Sequence, residues 1–215
     1  MFCLIVNCPI FISMERIRKT IRTILESTLN GDSSIESRFK TDKSKSNRKL
    51  NEVSDEQYDF ISSKYPDSRI ILSNDEEIKF IPTKDNQRLT YKPKGLWYGF
   101  GTSWADWVIH EMPEWRKDYK TLFILEINES SVLKMGTKEE LLDFTRKYSP
   151  KDSGGYFERN LIDWTLVVKD YDGIEISPYV HSARMDERTN WYYPWDVASG
   201  CIWGAGGIKS IKRIH

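Results

Sequence analysis

All eight tryptophans of the chain lie between Trp97 and Trp203, and three of them fall in one stretch, WYYPWDVASGCIW, from Trp191 to Trp203. Buried cores are built mainly from aliphatic side chains, and solvated loops contain few aromatic ones. The density of rings therefore predicts one of two structures for this half of the chain. It forms either a tryptophan-rich core or an aromatic-walled binding site.

Length and charge exclude several classes of protein. A chain of 215 residues fits one domain of ordinary size with an additional arm. With 32 basic and 32 acidic residues the formal net charge is zero, so no overall field attracts nucleic acid or membranes. Three cysteines provide no disulfide framework, which favours a reducing, intracellular location such as the cytoplasm.

Composition predicts three regions. Residues 1–29 comprise an apolar start and a basic amphipathic helix, residues 30–52 a flexible polar linker, and residues 53–215 the folded domain. MFCLIVNCPIFIS is shorter than the roughly 20 residues that span a bilayer, so no integral membrane association is expected. Three interpretations of it remain open: a buried strand, a membrane-surface anchor, or a stretch upstream of a start at Met14.

The folded domain is predicted to be α+β, with short, mostly antiparallel strands and peripheral helices. Predicted strands include SRIILS, EIKFIP, GLWYGFG, KTLFILEIN, SSVLKM, DGIEISPY, SGCIW and GIKSIKRI. Helices are predicted near Asp55–Ser63, after Ser103, in TKEELLDFTRKY with a Thr137–Glu140 capping box, and in LIDWTLVVKDY.

Several common catalytic motifs are missing. His110-Glu111 lacks the second histidine of a zinc-binding HExxH helix, and Gly99-Phe100-Gly101 lacks the lysine of a phosphate loop. The chain has no GxSxG nucleophile elbow, and Cys201 has the surroundings of a small buried thiol. No metal site is predicted.

Two aromatic and glycine-rich segments remain as candidates for a site: Tyr91–Trp107 and Asp172–Trp203. Aromatic faces offer flat walls to a planar ring, and glycines allow backbone N–H groups to approach a ligand. Basic residues beside these rings can neutralise phosphates. Glu175 or Asp196 can polarise a ribose hydroxyl or stabilise developing positive charge.

Three motifs within these segments resemble a family of uncharacterised proteins from phages, bacteria and large viruses. They are KPKGLWYGFGTSWADWV, IDWTLVVKDYDGIEISPY and WYYPWDVASGCIW, which correspond to the family segments KPxGLWxS, DW…YDGI and WDxASGCIW, except that Gly99 stands where the first segment has Ser. The resemblance covers about residues 91–203 and names no reaction.

The order of a first strand, a GLWY-type second strand followed by a helix, and a late acidic strand is similar to that of ADP-ribosyltransferases. This resemblance implies NAD, used as substrate, in a cleft between two small sheets, and transfer of ADP-ribose to a protein or nucleic-acid acceptor. The family uses a first-strand Arg or His, a second-strand Ser, Thr or Tyr, and a late Glu.

Carried over to this chain, the resemblance implies Tyr98 or Thr102 in the second role and Glu175 in the third, with Asp196 as its rival. No Arg or His lies in register within TYKPKG, so Arg88, Lys92 and Lys94 are the nearest candidates for the first role. The residues predicted to bind the nucleotide are Lys92, Lys94, Gly95, Trp97, Thr102, Trp191 and Trp195.

The alternative is a non-catalytic binding module of viral or phage origin, whose aromatic groove takes a nucleotide, a single-stranded nucleic acid or a peptide. Bases stacked on aromatic side chains contribute roughly 1–3 kcal/mol each. Phosphate contacts normally dominate such affinity, so a steep loss of binding with added salt would favour this alternative over the transferase.

Overall fold

A computed structural model describes residues 55–83, 85–86, 88–150 and 160–215. All of them belong to one compact unit. The predictions for residues 1–29 and 30–52 concern residues outside these ranges, and the domain boundary at residue 53 stays a prediction.

The described residues form five α-helices and seven strands. The helices are α1 (Asp55–Lys64), α2 (Ser103–Glu111), α3 (Lys138–Tyr148), α4 (Trp164–Asp170) and α5 (His181–Arg184). The strands are β1 (Arg69–Ser73), β2 (Leu96–Phe100), β3 (Thr121–Ile127), β4 (Val132–Met135), β5 (Gly173–Ile176), β6 (Ser199–Ile202) and β7 (Ile208–Arg213). Short 3₁₀ helices span Pro113–Asp118, Glu187–Tyr192 and Ala205–Gly207.

The α+β class and the mostly antiparallel pairing are confirmed, but the arrangement of the sheet differs from the expectation. All seven strands join in one mixed sheet with the order β4-β5-β6-β2-β1-β3-β7, where two small sheets were predicted. Only the β4–β5 pair is parallel among these strands. The central strand β2 joins the two halves because it pairs with both β1 and β6.

Local signals located most elements correctly. The capping box that begins α3 is present, with the Thr137 side chain accepting from the Glu140 N–H and Glu140 reaching back to Thr137 N–H. The helix after the GLWY strand begins at Ser103, and its N-cap position is Thr102. The strand predicted in EIKFIP is wrong: the chain there packs Ile78 and Phe80 onto the sheet and is not part of the seven-stranded ladder.

One face of the sheet is covered by a cluster that we call the aromatic core. Helices α3 and α4 and the Glu187–Tyr192 segment bring large rings onto β2, β5 and β6. The fully buried rings of this core are Trp164, Trp191, Tyr192, Trp195 and Trp203. Trp97, Ile174, Ile176 and Cys201 belong to the same cluster, so alternate residues of β2, β5 and β6 point to this face.

The residues between them in sequence point to the other face. Leu96, Tyr98 and Phe100 of β2 and Ile202 of β6 belong to a second cluster, with Phe123 and Leu125 of β3. We call this side the polar face, because Glu175 lies on it between Ile174 and Ile176 of β5. No helix in the described ranges is long and apolar enough to cross a membrane.

Candidate functional site

Three side chains from three strands of the polar face meet in one hydrogen-bonded group. Glu175 of β5 accepts from the Tyr98 hydroxyl at 2.8 Å. Arg69, the first residue of β1, donates from Nε to Glu175 Oε2 at 2.5 Å and from Nη2 to Oε1 at 3.1 Å. Such a two-pronged arginine–carboxylate contact fixes orientation as well as charge. The structure thus unites Tyr98 and Glu175, two of the predicted catalytic residues.

Gly200 makes this meeting geometrically feasible. In the sheet, Gly200 of β6 lies directly between Glu175 on one side and Tyr98 on the other. A Cβ atom at this position would lie 2.3 Å from both the Cζ and the hydroxyl oxygen of Tyr98. The tyrosine therefore crosses over β6 at the one residue without a side chain. The glycine of the SGC motif is thereby part of the site.

The group becomes more exposed toward its edge. Glu175 is 4% exposed and Tyr98 is 3% exposed, whereas the Arg69 side chain is 19% exposed. The guanidinium carbon of Arg69 lies 5.6 Å from the centre of the Phe100 ring, the residue directly opposite it on β2. Arginine over an aromatic face is attracted to the ring electrons. Arg69 therefore connects the buried Glu175 carboxylate to the more exposed edge of the group.

Two further charged residues complete the edge. Glu129, in the β3–β4 turn, accepts from Arg69 Nη2 at 3.1 Å and pairs with Lys134 of β4. Lys134 Nζ lies 3.9 Å from Glu175 Oε1. We call Arg69, Tyr98, Glu129, Lys134 and Glu175 the ion network. Its two cations and two carboxylates balance, so the network carries no net charge.

Burial and the neighbouring charges shift the pKa values of Tyr98 and Arg69. Burial, followed by the charge of Glu175 and the hydrogen bond to it, raises the pKa of Tyr98 far above its usual range. Desolvation alone would lower the pKa of Arg69, but its hydrogen bond to Glu175 and the charge of that carboxylate raise it overall. Tyr98 is consequently a fixed hydrogen-bond donor and Arg69 a fixed cation at neutral pH.

The predicted aromatic wall lies on the opposite side of the sheet. Trp191 and Trp195 have no exposed surface. The indole N–H of Trp191 donates to Thr145 Oγ1 at 2.7 Å, and that of Trp195 to the Tyr91 carbonyl at 3.4 Å. Trp97 is half-buried and packs edge-on against Trp195 at 4.9 Å between ring centres. These rings contribute to the aromatic core, and their nucleotide-binding role stays a prediction.

Asp196 also lies apart from Glu175. It follows Trp195 and accepts from Arg184 at 3.1 Å, with 13% of its side chain exposed. Burial raises its pKa, and the nearby cations Lys92 and Arg184 oppose that shift. Lys92 Nζ lies 5.1 Å from the centre of the Trp97 ring. Asp196 and Lys92 therefore form a second polar group beside the aromatic core.

The remaining predicted residues have local partners. Lys94 pairs with Asp85 at 3.6 Å. Gly95 allows close approach to β6, because a Cβ there would lie 2.3 Å from the Ile202 carbonyl oxygen. The Thr102 hydroxyl donates to Asp106 at 2.9 Å at the start of α2. None of these contacts involves Glu175.

Sequence reasoning did not find Arg69, Glu129 or Lys134. Arg69 had a detectable signal, because an arginine that begins an apolar strand, RIILS, sits where a first-strand cation is required. Lys134 alternates with apolar residues in VLKM, which places it on one face of its strand. Glu129 lies in a polar turn and carries no such signal.

Comparisons with known proteins add no assignment. No protein-family model, no curated protein and no solved structure matches this chain.

Proposed function

We propose that the protein is an ADP-ribosyltransferase-like enzyme that binds NAD as substrate at the ion network. Arg69, Tyr98 and Glu175 take the three family roles of first-strand cation, second-strand hydroxyl and late glutamate. The observation that carries this proposal is their convergence: residues from β1, β2 and β5 are joined by direct hydrogen bonds on one face. Arg69 replaces Arg88, Lys92 and Lys94 as the candidate for the first role.

The residues suit the chemistry of the nicotinamide–ribose bond. As that bond breaks, nicotinamide leaves with the electron pair, and C1 of the ribose acquires oxocarbenium character. A carboxylate held close by stabilises this positive charge, and stabilisation in a dry environment is stronger than in water. An acceptor nucleophile then bonds to C1 and loses its proton to solvent. With water as acceptor, the net reaction is hydrolysis of NAD.

Binding of NAD would change the contacts of the Glu175 carboxylate. The polar contacts described for the Glu175 carboxylate are with Tyr98, Arg69 and Lys134. Release of one of the two Arg69 contacts frees a further lone pair of this carboxylate for a ribose hydroxyl. Arg69 is then free to face the substrate's phosphates, for which guanidinium groups are well suited. The acceptor, a protein or a nucleic acid, approaches from the exposed edge at Glu129 and Lys134.

Release of nicotinamide tests the proposal. Purified protein is incubated with NAD labelled in the nicotinamide ring, and Glu175→Gln is compared with Asp196→Asn. We expect Glu175→Gln to lower the rate about 100-fold or more, as loss of an electrostatic stabiliser does. Asp196→Asn should leave the rate within about twofold, since its carboxylate lies apart from the network.

Thermal unfolding of each variant separates loss of catalysis from loss of fold. A wild-type protein that gives no heat with millimolar NAD in calorimetry would overturn the proposal. Equal losses in Glu175→Gln and Asp196→Asn, with both variants folded, would show that the activity does not depend on the ion network specifically.

A further inference from the structure

The exposed edge of the ion network contains a carboxylate that bridges two cations. Glu129 accepts from Arg69 Nη2 at 3.1 Å and also pairs with Lys134. The same Arg69 nitrogen donates to Glu175 Oε1 at 3.1 Å. Arg69 is therefore shared between a buried carboxylate and an exposed one. These two carboxylates are held very differently.

Glu175 is buried inside a strand, whereas Glu129 is half exposed in a turn. Glu175 is 4% exposed and lies inside a strand, with Tyr98 and Arg69 both bonded to it. The Glu129 side chain is 49% exposed and lies in the turn between β3 and β4. It can leave both cations by rotation of its own side chain, and water can solvate it on departure. Exposed ion pairs of this kind contribute only about 0–1 kcal/mol.

The position that Glu129 occupies has the chemistry of a phosphate site. Guanidinium groups bind carboxylates and phosphates through the same planar set of donors, and lysine adds a point charge. A phosphate oxygen placed where Glu129 Oε1 lies would accept from the same Arg69 Nη2. Departure of Glu129 also leaves the network with one net positive charge, which favours an anion.

We propose that Arg69 and Lys134 form a subsite for a phosphate or pyrophosphate group, and that Glu129 occupies this subsite as an internal competitor. Lys134 is a binding residue, and Glu129 lowers affinity by competing with the ligand. The identity of the ligand as the pyrophosphate of NAD rests on the proposed function. The competition itself concerns any phosphate anion, because only the two cations and Glu129 take part.

Binding of inorganic pyrophosphate and of ADP-ribose tests the subsite directly. Dissociation constants are measured by calorimetry at low ionic strength for wild type, Glu129→Gln and Lys134→Ala. We expect Glu129→Gln to bind both probes about 3–10-fold more tightly, and Lys134→Ala to bind them more weakly by a similar factor. Added salt should reduce both differences, since exposed charges are screened.

Two exposed residues provide matched controls. Glu126→Gln removes a carboxylate that accepts from Ser210 at 3.0 Å rather than from Arg69. Lys209→Ala removes a charge from the exposed side of β7. Both should stay within about twofold of wild type. A gain in Glu126→Gln equal to that in Glu129→Gln would overturn the subsite and assign the effect to overall charge.

The outcome separates this inference from the transferase proposal. Tighter binding in Glu129→Gln without nicotinamide release by any variant would support the subsite and count against the enzyme. Nicotinamide release by wild type, with unchanged or weaker binding of both probes in Glu129→Gln, would overturn the competition and leave the enzyme standing. Melting temperatures of all variants confirm that folded protein is compared.

Discussion

The two faces of the sheet differ in how their polar groups are satisfied. On the aromatic side, the indole N–H groups of Trp164 and Trp203 donate to the backbone carbonyls of Thr90 and Tyr171. The polar N–H group of each of these indoles is therefore satisfied by the backbone. On the polar face, Glu175 is bonded to side chains from two other strands, and one of them, Arg69, continues to the exposed Glu129.

This difference separates two roles that the sequence mixes. Trp97 and Tyr98 are neighbours in β2, yet Trp97 packs into the aromatic core and Tyr98 bonds to Glu175. Aromatic rings on one side stabilise the fold by excluding water and by ring–ring contact. On the polar face, exposure to solvent increases from Glu175 through Arg69 to Glu129. Apolar packing is common to both sides, and the polar face adds the ion network to it.

Breaking the buried ion pair should have the largest effect on stability. Glu175→Met leaves the partly exposed Arg69 with Glu129 as its remaining partner, so we expect a loss of about 2–3 kcal/mol, below the roughly 3–5 kcal/mol typical of a fully buried pair. Adding Arg69→Met should recover at least half of that loss, because a pair of apolar side chains needs no charge compensation. Urea unfolding of the two single variants and the double variant measures the coupling.

The control for this cycle is Glu129→Gln, which should change the free energy of unfolding by less than about 1 kcal/mol, since that pair is exposed. Losses that simply add in the double variant would show that Arg69 and Glu175 are not coupled, and the contrast between the two faces would weaken.

Gly200→Ala should destabilise the protein, because the added methyl group displaces Tyr98 from Glu175. Its methyl group would collide with the Tyr98 ring, and overpacking of this kind costs roughly 1–3 kcal/mol. The lost hydrogen bond between Tyr98 and Glu175 adds to that cost. In a Tyr98→Ala background the same substitution should cost less than about 0.5 kcal/mol, because the colliding ring is gone. An equal cost in both backgrounds would assign the glycine a purely backbone role.

Tyr98→Phe tests the buried hydroxyl of the polar face through the pH dependence of the free energy of unfolding. At neutral pH it removes a hydrogen bond to a charged group, which costs about 1.5 kcal/mol. The raised pKa of Tyr98 means that the folded state holds this proton when the unfolded state has lost it. Wild-type stability therefore falls as pH rises above about 10, and the variant lacks this contribution.

The gap in unfolding free energy between wild type and Tyr98→Phe should accordingly narrow above pH 10. Denaturant melts from pH 7 to pH 11 measure it, with Tyr193→Phe as the control because that ring is largely exposed. A gap that stays constant across this range would contradict the buried position of the hydroxyl.

Much of the fold follows from local signals in the sequence. Short apolar runs located β1 and β3, and the Thr137–Glu140 box located the start of α3. Glu175 and Tyr98 are candidates because the resemblance to ADP-ribosyltransferases implies a second-strand hydroxyl and a late glutamate at these positions. The EIKFIP prediction was wrong because apolar alternation also suits an extended segment that packs on a sheet without joining it.

The sequence by itself determined the α+β class, most element positions and two residues of the network. Only the tertiary structure decided that Arg69 and Glu175, 106 positions apart, share a hydrogen bond. It also decided that Trp191 and Trp195 face away from them. Strand order and register arise from pairing between distant segments, and a change of one residue in register moves every side chain to the opposite face. Local patterns cannot encode that choice. The sequence suggested one site formed by WYYPWD and GLWY, but the sheet separates the buried tryptophans Trp191 and Trp195 from Tyr98. Gly200, from the same aromatic stretch, lies beside Tyr98.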